Sequence, residues 1–322
     1  MKRVIAVLLG GIMLGCAGGA IAQGWPNKPI RYIVPFAPGG TTDILARLVS
    51  PKLGEALGQS VVVENRPGAA GILGAEMLAK SAPDGYTVGG GTISSHAINV
   101  TLYPKLPYDP ARDFAPITML ATLPNMLVVH PSLGVNSVAE LIALLKAYPN
   151  KYSFGSAGNG TSQHISGELF KTMTGVSMQH IPYKGSGSMI PDLLSGTIGL
   201  SFENIPTAYP PVKAGRLKAL AVTTARRSSI APEVPALAEV GLPGYDISSW
   251  QAMFAPAGTP KEIVARLYDE VAKILKDAEI QRRIHELGAD PGGMPPEELA
   301  ALVRSEIPRL GKIVRDSGAK VD

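Results

Sequence analysis

Segments typical of β-strands and of α-helices alternate along this chain of 322 residues. The apolar run at 30–36 favours a buried strand, and residues 41–57 carry apolar side chains at helical spacing. The same order continues in further segments, with strands expected at 60–66 and 85–91 and helices at 71–82 and 94–103. Because parallel strands are joined by crossover helices, this order predicts an α/β fold whose sheet is flanked by helices.

The middle of the chain repeats the alternation, and the C-terminal part is helical. Strands are expected at 125–131, 151–156, 176–183, 197–204 and 217–224, and helices at 137–148, 161–173, 188–196, 279–287 and 296–315. Ser137 with Glu140 forms a capping-box pattern that predicts a helix start. Thr259 with Glu262 repeats this pattern, and Pro260 would then occupy the first helical position.

The chain is too long for one comfortable hydrophobic core, so two domains are expected. The two α/β units and the C-terminal helices are arranged most economically if the first domain is discontinuous. The predicted first domain comprises residues 26–125 and 246–322, and the predicted second domain comprises residues 126–245. Two connecting segments, near 123–128 and 244–250, would then form a hinge.

The first 22 residues are predicted to be a signal peptide. Lys2 and Arg3 precede the apolar run VIAVLLGGIML, which is too short to span a bilayer, and the small residues AIA at 20–22 fit a cleavage site. The run MLGC loosely resembles a lipoprotein signal, so lipid anchoring at Cys16 is a less favoured alternative. Cys16 is the only cysteine, so the exported, soluble chain expected after cleavage has no disulfide.

Composition and motifs argue against several functions. The net charge of +4 is not concentrated in a basic cluster, so nucleic-acid binding has no support. The pattern G-x-S-x-G of many serine hydrolases is absent. The histidines show no metal-binding spacing, and they stand at positions 96, 130, 164, 180 and 285. The sequence therefore predicts neither a metal site nor a cofactor, and it gives an enzyme little support.

The stretch VPFAPGGTTD combines an expected strand end, a glycine turn and a helix start. Gly39 and Gly40 let backbone N–H groups approach a ligand closely, and Thr41 or Thr42 would cap the helix, whose start attracts anions. No lysine follows the second glycine, so the turn is not a nucleotide loop and suits a carboxylate better. Asp43 would repel an anion, so we expect it on the outer side of the helix in a structural role. Binding of a ligand amino group is the alternative.

The stretch FGSAGNGTSQH repeats these parts in the expected second domain. Gly158 and Gly160 loosen the backbone, Asn159 tolerates left-handed φ, and Thr161 or Ser162 would cap the next helix. Open α/β sheets bind ligands at the carboxyl ends of their strands. Two such pockets facing each other across a cleft would hold the two ends of one small acid. For one turn alone, a plain strand-to-helix connection is an equally good interpretation.

Further candidates lie at other strand-to-helix turns. They are Ser94, Ser95 and His96 in GTISSHAIN, and Tyr183, Lys184 and Gly185 in PYKGSGS. The hydroxyl groups would donate to a ligand or only cap a helix, and Lys184 is either a cation beside a pocket or a solvated side chain. His164 would donate a hydrogen bond as a neutral imidazole or only satisfy its turn. Trp250 and Phe254 line the cleft or belong to the core.

After residue 22 the whole chain resembles the extracytoplasmic solute receptors of tripartite tricarboxylate transporters, the Bug-type binding proteins. The resemblance rests on many segments in one order, namely WPNKPIRYIVPFAPGGTTDILAR, VVVENRPGAAGILGAE, APDGYTV, LYPKLPYDPARDFAPI, HPSLGVNSVAELIALLKA, FGSAGNGTSQHISGELF, IPYKGSGSMIPDLLSG, LKALAVTTARRS and PEVPALAEVGLPGY. It implies a periplasmic protein with the two-domain venus-flytrap fold of type II binding proteins, which has a mixed β-sheet flanked by helices in each domain.

The resemblance also implies a function. It implies a monomeric receptor, not an enzyme, that binds a small di- or tricarboxylate, acidic amino acid or aromatic acid and delivers it to a two-subunit membrane permease. Family members hold the carboxylate in loops that match 36–42 and 156–162. The predicted ligand-binding residues are Phe36, Ala37, Gly39, Gly40, Thr41, Thr42, Ser94, His96, Ser156, Gly158, Asn159, Gly160, Thr161, Ser162, His164, Tyr183, Gly185 and Glu203.

Glu203 in SFENIP departs from the family, whose members commonly have an aspartate before the asparagine. A glutamate there reaches further into the cleft, turns away from it, or is solvated. The sequence leaves the acid unnamed. It also leaves two rival functions open, a sensor subunit that presents its ligand to a signalling partner and a hydrolase or lyase that uses the same cleft.

Overall fold

A computed structural model describes residues 24–321. The predicted signal peptide and Cys16 lie outside the described residues. The strands are β1 (Ile30–Val34), β2 (Val61–Asn65), β3 (Thr87–Thr92), β4 (Phe114–Val129), β5 (Ser153–Ser156), β6 (Gln179–Pro182), β7 (Leu200–Asn204), β8 (Lys218–Val222), β9 (Ser248–Pro256) and β10 (Asp290–Pro291). The α-helices are α1 (Thr41–Leu57), α2 (Ile72–Ala79), α3 (Asn99–Leu102), α4 (Val138–Ala147), α5 (Ser162–Thr174), α6 (Ser186–Ser195), α7 (Ile205–Lys213), α8 (Lys261–Lys276), α9 (Ala278–Glu286) and α10 (Pro296–Ser317). Between residues 24 and 321, no helix is long and apolar enough to cross a bilayer.

The strands form one hydrogen-bonded network in the order β2-β1-β3-β9-β4-β7-β5-β6, and β8 and β10 also pair with β4. Both ends of the network are parallel, since β1 pairs with β2 and β3, and β5 pairs with β6 and β7. The central strands β9 and β4 run antiparallel to their neighbours. This mixed sheet with flanking helices confirms the predicted fold class.

Strand β4 is shared by the two halves of the network. Its residues up to Pro124 pair with β9, and its residues from Asn125 onward pair with β7. The change of partner falls inside the predicted hinge segment at 123–128. The domain boundaries themselves stay a prediction, which this change of partner supports.

Several predicted elements differ from the structure. Strand β9 was not expected, and β4 begins at Phe114, well before the expected start at 125. Helix α7 was missed because Pro206, Pro210 and Pro211 lie inside it, and proline normally disfavours a helix interior.

The predicted start of the helix after Thr259 was wrong in its details. Helix α8 begins at Lys261, Pro260 lies just outside it, and Thr259 Oγ1 donates to the Pro256 carbonyl. The start after Ser137 is confirmed, since Ser137 Oγ accepts from the Glu140 N–H at 3.1 Å.

The buried core extends through both halves. In the first half, α1 buries Leu45, Val49 and Leu53 in one cluster with Leu267 and Val271 of α8. Full burial of such an aliphatic side chain stabilises the fold by about 1.5–3 kcal/mol relative to exposure. Helix α10 packs against α3 and also against α5, where Thr172 Oγ1 donates to the Ser317 carbonyl at 3.0 Å. The C-terminal helix therefore contacts both halves, beside the strand that they share.

Candidate functional site

A small polar pocket lies where β1, β5 and β7 end and where α1 and α5 begin. It contains about 340 Å³ of space between protein atoms, part of which is open to solvent. None of the described residues that line it has a charged side chain. The lining residues are Phe36, Gly40, Thr41, Thr42, Thr92, Ser94, Ala157, Thr161, Ser162, Gln163, Ser186, Asn204, Ser249 and Gln251. Two glycine turns of similar sequence thus meet at one cavity, one from each half of the sheet.

The first turn presents the start of α1 to the pocket. Gly40 is the residue before the helix, and no side chain caps it, so the predicted cap by Thr41 or Thr42 was wrong. Thr42 Oγ1 instead donates to Gln251 Oε1 at 2.7 Å. Thr41 Oγ1 is buried and has no hydrogen-bond partner within residues 24–321. Because N–H groups in a first helical turn lack intrahelical acceptors, Thr41 and Thr42 present unsatisfied N–H groups at the pocket.

Asp43 holds the first turn in shape. Its carboxylate accepts from the Gly39 N–H at 2.9 Å and from the side chains of Arg47 and Asn65. Burial by itself would raise the pKa of Asp43, but these hydrogen bonds and the Arg47 charge outweigh it and keep the pKa below its ordinary value. The expected structural role therefore fits, whereas the expected position on the outer side of the helix was wrong, since Asp43 is buried.

The second turn is held by its own side chains. Thr161 caps α5, where its Oγ1 accepts from the His164 N–H at 3.4 Å and donates to the Gly158 carbonyl at 2.8 Å. The Gly158 N–H donates to Ser156 Oγ at 3.1 Å, so it is directed into the loop. The first-turn N–H groups of Ser162 and Gln163 lack intrahelical acceptors and are backbone donors at this turn.

Two histidines support the second turn from behind. His164 Nδ1 accepts from the Gly160 N–H at 3.1 Å, and its ring stacks on His180 with ring centres 4.1 Å apart. Burial, the His180 ring and Lys171 lower the pKa of His164 to about 3, so this imidazole is neutral at pH 7. His180 Nε2 lies 2.6 Å from Ser156 Oγ. The bond from Gly160 matches the expected role in which His164 satisfies its turn, and donation to a ligand stays a prediction.

His96 lies in the core beside the pocket. Its ring stacks on Phe254 with centres 4.1 Å apart, and its Nδ1 lies 2.9 Å from Ser95 Oγ. Complete burial lowers the pKa of His96 to about 3. Trp250 and Phe254 are buried as well, so both belong to the core, as one of their two interpretations expected.

Glu203 lies directly beneath the pocket, with its carboxyl group fully buried. Oε1 accepts from Ser186 Oγ at 2.7 Å, Thr207 Oγ1 at 2.7 Å, the Asn204 N–H at 2.8 Å and, more weakly, Gln163 Nε2 at 3.4 Å. Burial raises the pKa of Glu203, and these hydrogen bonds offset only part of that effect. Ser186, Gln163 and Asn204 line the pocket, so Glu203 supports its wall.

The turn before α6 contributes less than the sequence suggested. Tyr183 Oη donates to Asp192 Oδ2 at 2.7 Å, and desolvation together with this partner raises the pKa of Tyr183 to about 12. The Lys184 side chain is exposed, which matches the solvated alternative.

The predicted ligand-binding residues fall into two groups. The pocket is lined by Phe36, Gly40, Thr41, Thr42, Ser94, Thr161 and Ser162. Outside the lining, but in the loops and contacts around it, are Ala37, Gly39, His96, Ser156, Gly158, Asn159, Gly160, His164, Tyr183, Gly185 and Glu203.

Sequence reasoning missed half of the lining. The missed residues are Thr92, Ala157, Gln163, Ser186, Asn204, Ser249 and Gln251. Ser186 stands in the strand-to-helix turn PYKGSGS that the sequence had already marked, so the turn pattern could have found it. Asn204 precedes α7, the helix that the sequence did not indicate. Ser249 and Gln251 lie on β9, which carried no recognised strand signal.

The site combines two helix N termini with an uncharged polar pocket, and residues 24–321 contain no cluster of metal-ligating side chains. Helix N termini of this kind suit a small anion, and the fold is that of a solute-binding protein. A family model described as "Tripartite tricarboxylate transporter family receptor" matches residues 45–319. The chain therefore belongs to this family of receptors.

Individual relatives agree with this assignment. Protein BugT of Bordetella pertussis is 38% identical over 325 residues, which cover 100% of this chain and 99% of BugT. The solved structure titled "R. palustris Rpa4515 with adipate" is 43% identical with a TM-score of 0.89, and covers 92% of this chain and 100% of that one. The structure titled "MatC (Rpa3494) from Rhodopseudomonas palustris with bound malate" is 33% identical with a TM-score of 0.87, and covers 90% and 100%.

Proposed function

We propose that this protein is a periplasmic receptor that captures one small carboxylate between its two domains and delivers it to a membrane permease. The observation that carries the proposal is the meeting of two helix N termini, those of α1 and α5, at one uncharged pocket. The relatives whose structures are titled with adipate and malate support a carboxylate as the ligand. The domain boundaries remain those expected from the sequence, residues 26–125 with 246–322 and residues 126–245.

Physical chemistry supports an acid of modest charge. Each helix start carries a partial positive charge of about half an elementary charge, and each hydrogen bond to a charged group contributes about 1.5–3 kcal/mol. A micromolar receptor needs roughly 8 kcal/mol in total. Two N–H groups at each helix start would together contribute about 6–12 kcal/mol, a range that includes this total without a cation in the lining.

The enzyme alternative needs a serine beside a histidine, and the shortest such contact among the described residues joins Ser156 Oγ and His180 Nε2 at 2.6 Å. Ser156 is fully buried and its hydroxyl oxygen accepts from the Gly158 N–H, so this oxygen lies inside the loop. A nucleophile has to reach the substrate, so this pair gives hydrolysis no support. A sensor that presents its ligand to a signalling partner uses the same pocket, and only the partner distinguishes it from a transport receptor.

The first test is isothermal titration calorimetry of the chain against a panel of organic acids that includes adipate and malate, with mass spectrometry of the acid afterwards. We expect micromolar binding and an unchanged acid. Turnover of the acid would contradict the receptor function, and the absence of binding across the panel would contradict the carboxylate proposal.

A variant pair makes the test specific for the pocket. Thr41→Ala removes a hydroxyl group that has no partner within residues 24–321, so the fold should keep its stability. If this hydroxyl donates to the bound acid, affinity should fall about 10- to 150-fold, which corresponds to 1.5–3 kcal/mol. Ser50→Ala is the matched control, because Ser50 Oγ is also buried and unpartnered, lies in the same helix, and is remote from the pocket.

A further inference from the structure

The two halves of the molecule touch each other beside the pocket through backbone atoms. The Ala37 N–H, in the turn after β1, donates to the Lys184 carbonyl, in the turn after β6, at 3.2 Å. Strands β1 and β6 lie in opposite halves of the strand order. This contact therefore joins the halves across the proposed cleft and holds the pocket closed on one side.

Gly187 makes the tightest approach in this contact. A Cβ atom added to Gly187 would lie 1.8 Å from the Pro38 carbonyl oxygen and 3.0 Å from the Pro38 carbonyl carbon. These are backbone atoms, which cannot rotate away as a flexible side chain can. In the arrangement described here, any residue other than glycine at position 187 would force the two turns apart.

The backbone of Gly187 itself does not require glycine. It is the second residue of α6, and its φ is not in the left-handed region. Alanine has a higher helix propensity than glycine by about 1 kcal/mol, so the local backbone would favour a side chain at this position. The steric reason for a glycine at position 187 is therefore the Pro38 carbonyl group, which belongs to the other half of the molecule.

Gly187 is also outside the binding surface, since it does not line the pocket, whereas its neighbour Ser186 does. Gly185 makes a similar approach, with an added Cβ atom 2.8 Å from the Ala37 nitrogen, but its φ of +142° requires glycine for a second reason. A substitution at Gly187 therefore affects the closing of the cleft without changing a residue of the pocket lining and without straining the backbone.

Resting on the proposed function, we infer that Gly187 is a positioning residue that permits the two domains to close over the bound acid through its contact with Pro38. The acid gains its full set of hydrogen bonds only when both helix starts reach it. A methyl group at Gly187 leaves each helix start intact and keeps the two apart. Affinity should therefore fall because the closed state is lost.

The test compares Gly187→Ala with the unchanged chain, using adipate and malate as probes in calorimetry and small-angle X-ray scattering. We expect the unchanged chain to compact with a bound probe. The variant should bind the same probe at least tenfold more weakly and should not compact. Its thermal unfolding without a probe should occur at the same or a higher temperature. Gly24→Ala is the control, because an added Cβ atom there has no described atom within 4 Å.

The outcomes separate this inference from the proposed function. If the unchanged chain binds a probe and compacts while Gly187→Ala binds it equally well, the inference is overturned and the receptor function stands. If Gly187→Ala unfolds at a lower temperature without a probe, the fold needs this contact in every state, and the closing role is overturned. If the unchanged chain binds neither probe, the inference is overturned together with the proposed recognition of these acids.

Discussion

Replacement of Glu203 tests how the wall of the pocket is supported. Oε1 accepts three short hydrogen bonds, from Ser186 Oγ, Thr207 Oγ1 and the Asn204 N–H, at 2.7, 2.7 and 2.8 Å. Glu203→Ala removes the acceptor of all three donors inside the protein. The Thr207 hydroxyl keeps the Asn204 carbonyl as an acceptor at 2.9 Å. Each of the other two buried donors left without a partner costs about 1–3 kcal/mol, so the free energy of unfolding should fall by roughly 2–6 kcal/mol. This is a large share of the roughly 5–15 kcal/mol that stabilises a typical domain.

Glu203→Gln should behave differently, because the glutamine side chain has the same shape and keeps a carbonyl acceptor at the position of Oε1. Its amide nitrogen replaces Oε2, which is buried without a partner within residues 24–321, so a loss of about 1–3 kcal/mol that does not depend on pH is expected. Burial raises the pKa of Glu203 in the folded state, so this carboxyl keeps its proton to a higher pH than it does in the unfolded chain. The stability that it contributes is thus fully present below the unfolded value of 4.5 and is lost as pH rises through the folded pKa. Glutamine does not titrate, so this variant should gain stability relative to the unchanged chain as pH rises above 4.5.

Urea unfolding of the three proteins, followed by circular dichroism between pH 4.5 and 8, measures both effects. We expect the larger loss for Glu203→Ala at every pH and a smaller loss for Glu203→Gln that diminishes as pH rises. An equal loss for both variants, or a glutamine difference that does not change with pH, would refute the reasoning about this buried carboxyl.

Three further predictions concern stability. Asp43→Asn should lower the free energy of unfolding by about 1.5–3 kcal/mol at pH 7. Because the folded state lowers the pKa of Asp43, the stability that this carboxylate contributes is present above a pH of about 3.8 and is lost below it. The difference in stability between the variant and the unchanged chain, measured by urea unfolding, should therefore vanish in acid. The pKa of His96 is lowered to about 3, so this residue should lower the free energy of unfolding by up to about 1.4 kcal/mol per pH unit as pH falls below 6.5. If the stability of His96→Phe depends on pH as steeply as that of the unchanged chain, this prediction is wrong. Ser137→Ala should remove the cap of α4 and cost about 1 kcal/mol in urea unfolding, whereas an unchanged midpoint would show that the bond to Glu140 contributes nothing.

The sequence predicts the parts of this fold that depend on neighbouring residues. The spacing of apolar residues identifies β1, α1, β5 and α5, because strands and helices each repeat their buried residues at a characteristic interval. The glycine turns are visible for the same reason, since Gly39, Gly40, Gly158 and Gly160 act within a few residues of themselves. Each turn lies at the carboxyl end of a strand, where open α/β sheets bind ligands. Their meeting at one pocket depends on β4, whose first part pairs with β9 and whose second part pairs with β7.

Other parts depend on contacts between distant segments, which periodicity does not encode. Gln251 reaches the pocket on β9 and meets Thr42, more than 200 residues earlier in the chain. Helix α7 forms although it contains several prolines, because Ile205 and Ala208 are buried against the second half of the sheet. His164 was flagged as a candidate ligand-binding group by its type and position, yet its environment makes it a buried support.

A crystal structure of the chain with the acid that binds best in the calorimetric panel tests the central claim most directly. We predict that carboxylate oxygens lie within hydrogen-bond distance of the N–H groups of Thr41 or Thr42 at the start of α1 and of Ser162 or Gln163 at the start of α5. An acid bound away from both helix starts, for example in the surface groove lined by His164, Glu168, Lys171 and His180, would contradict the account.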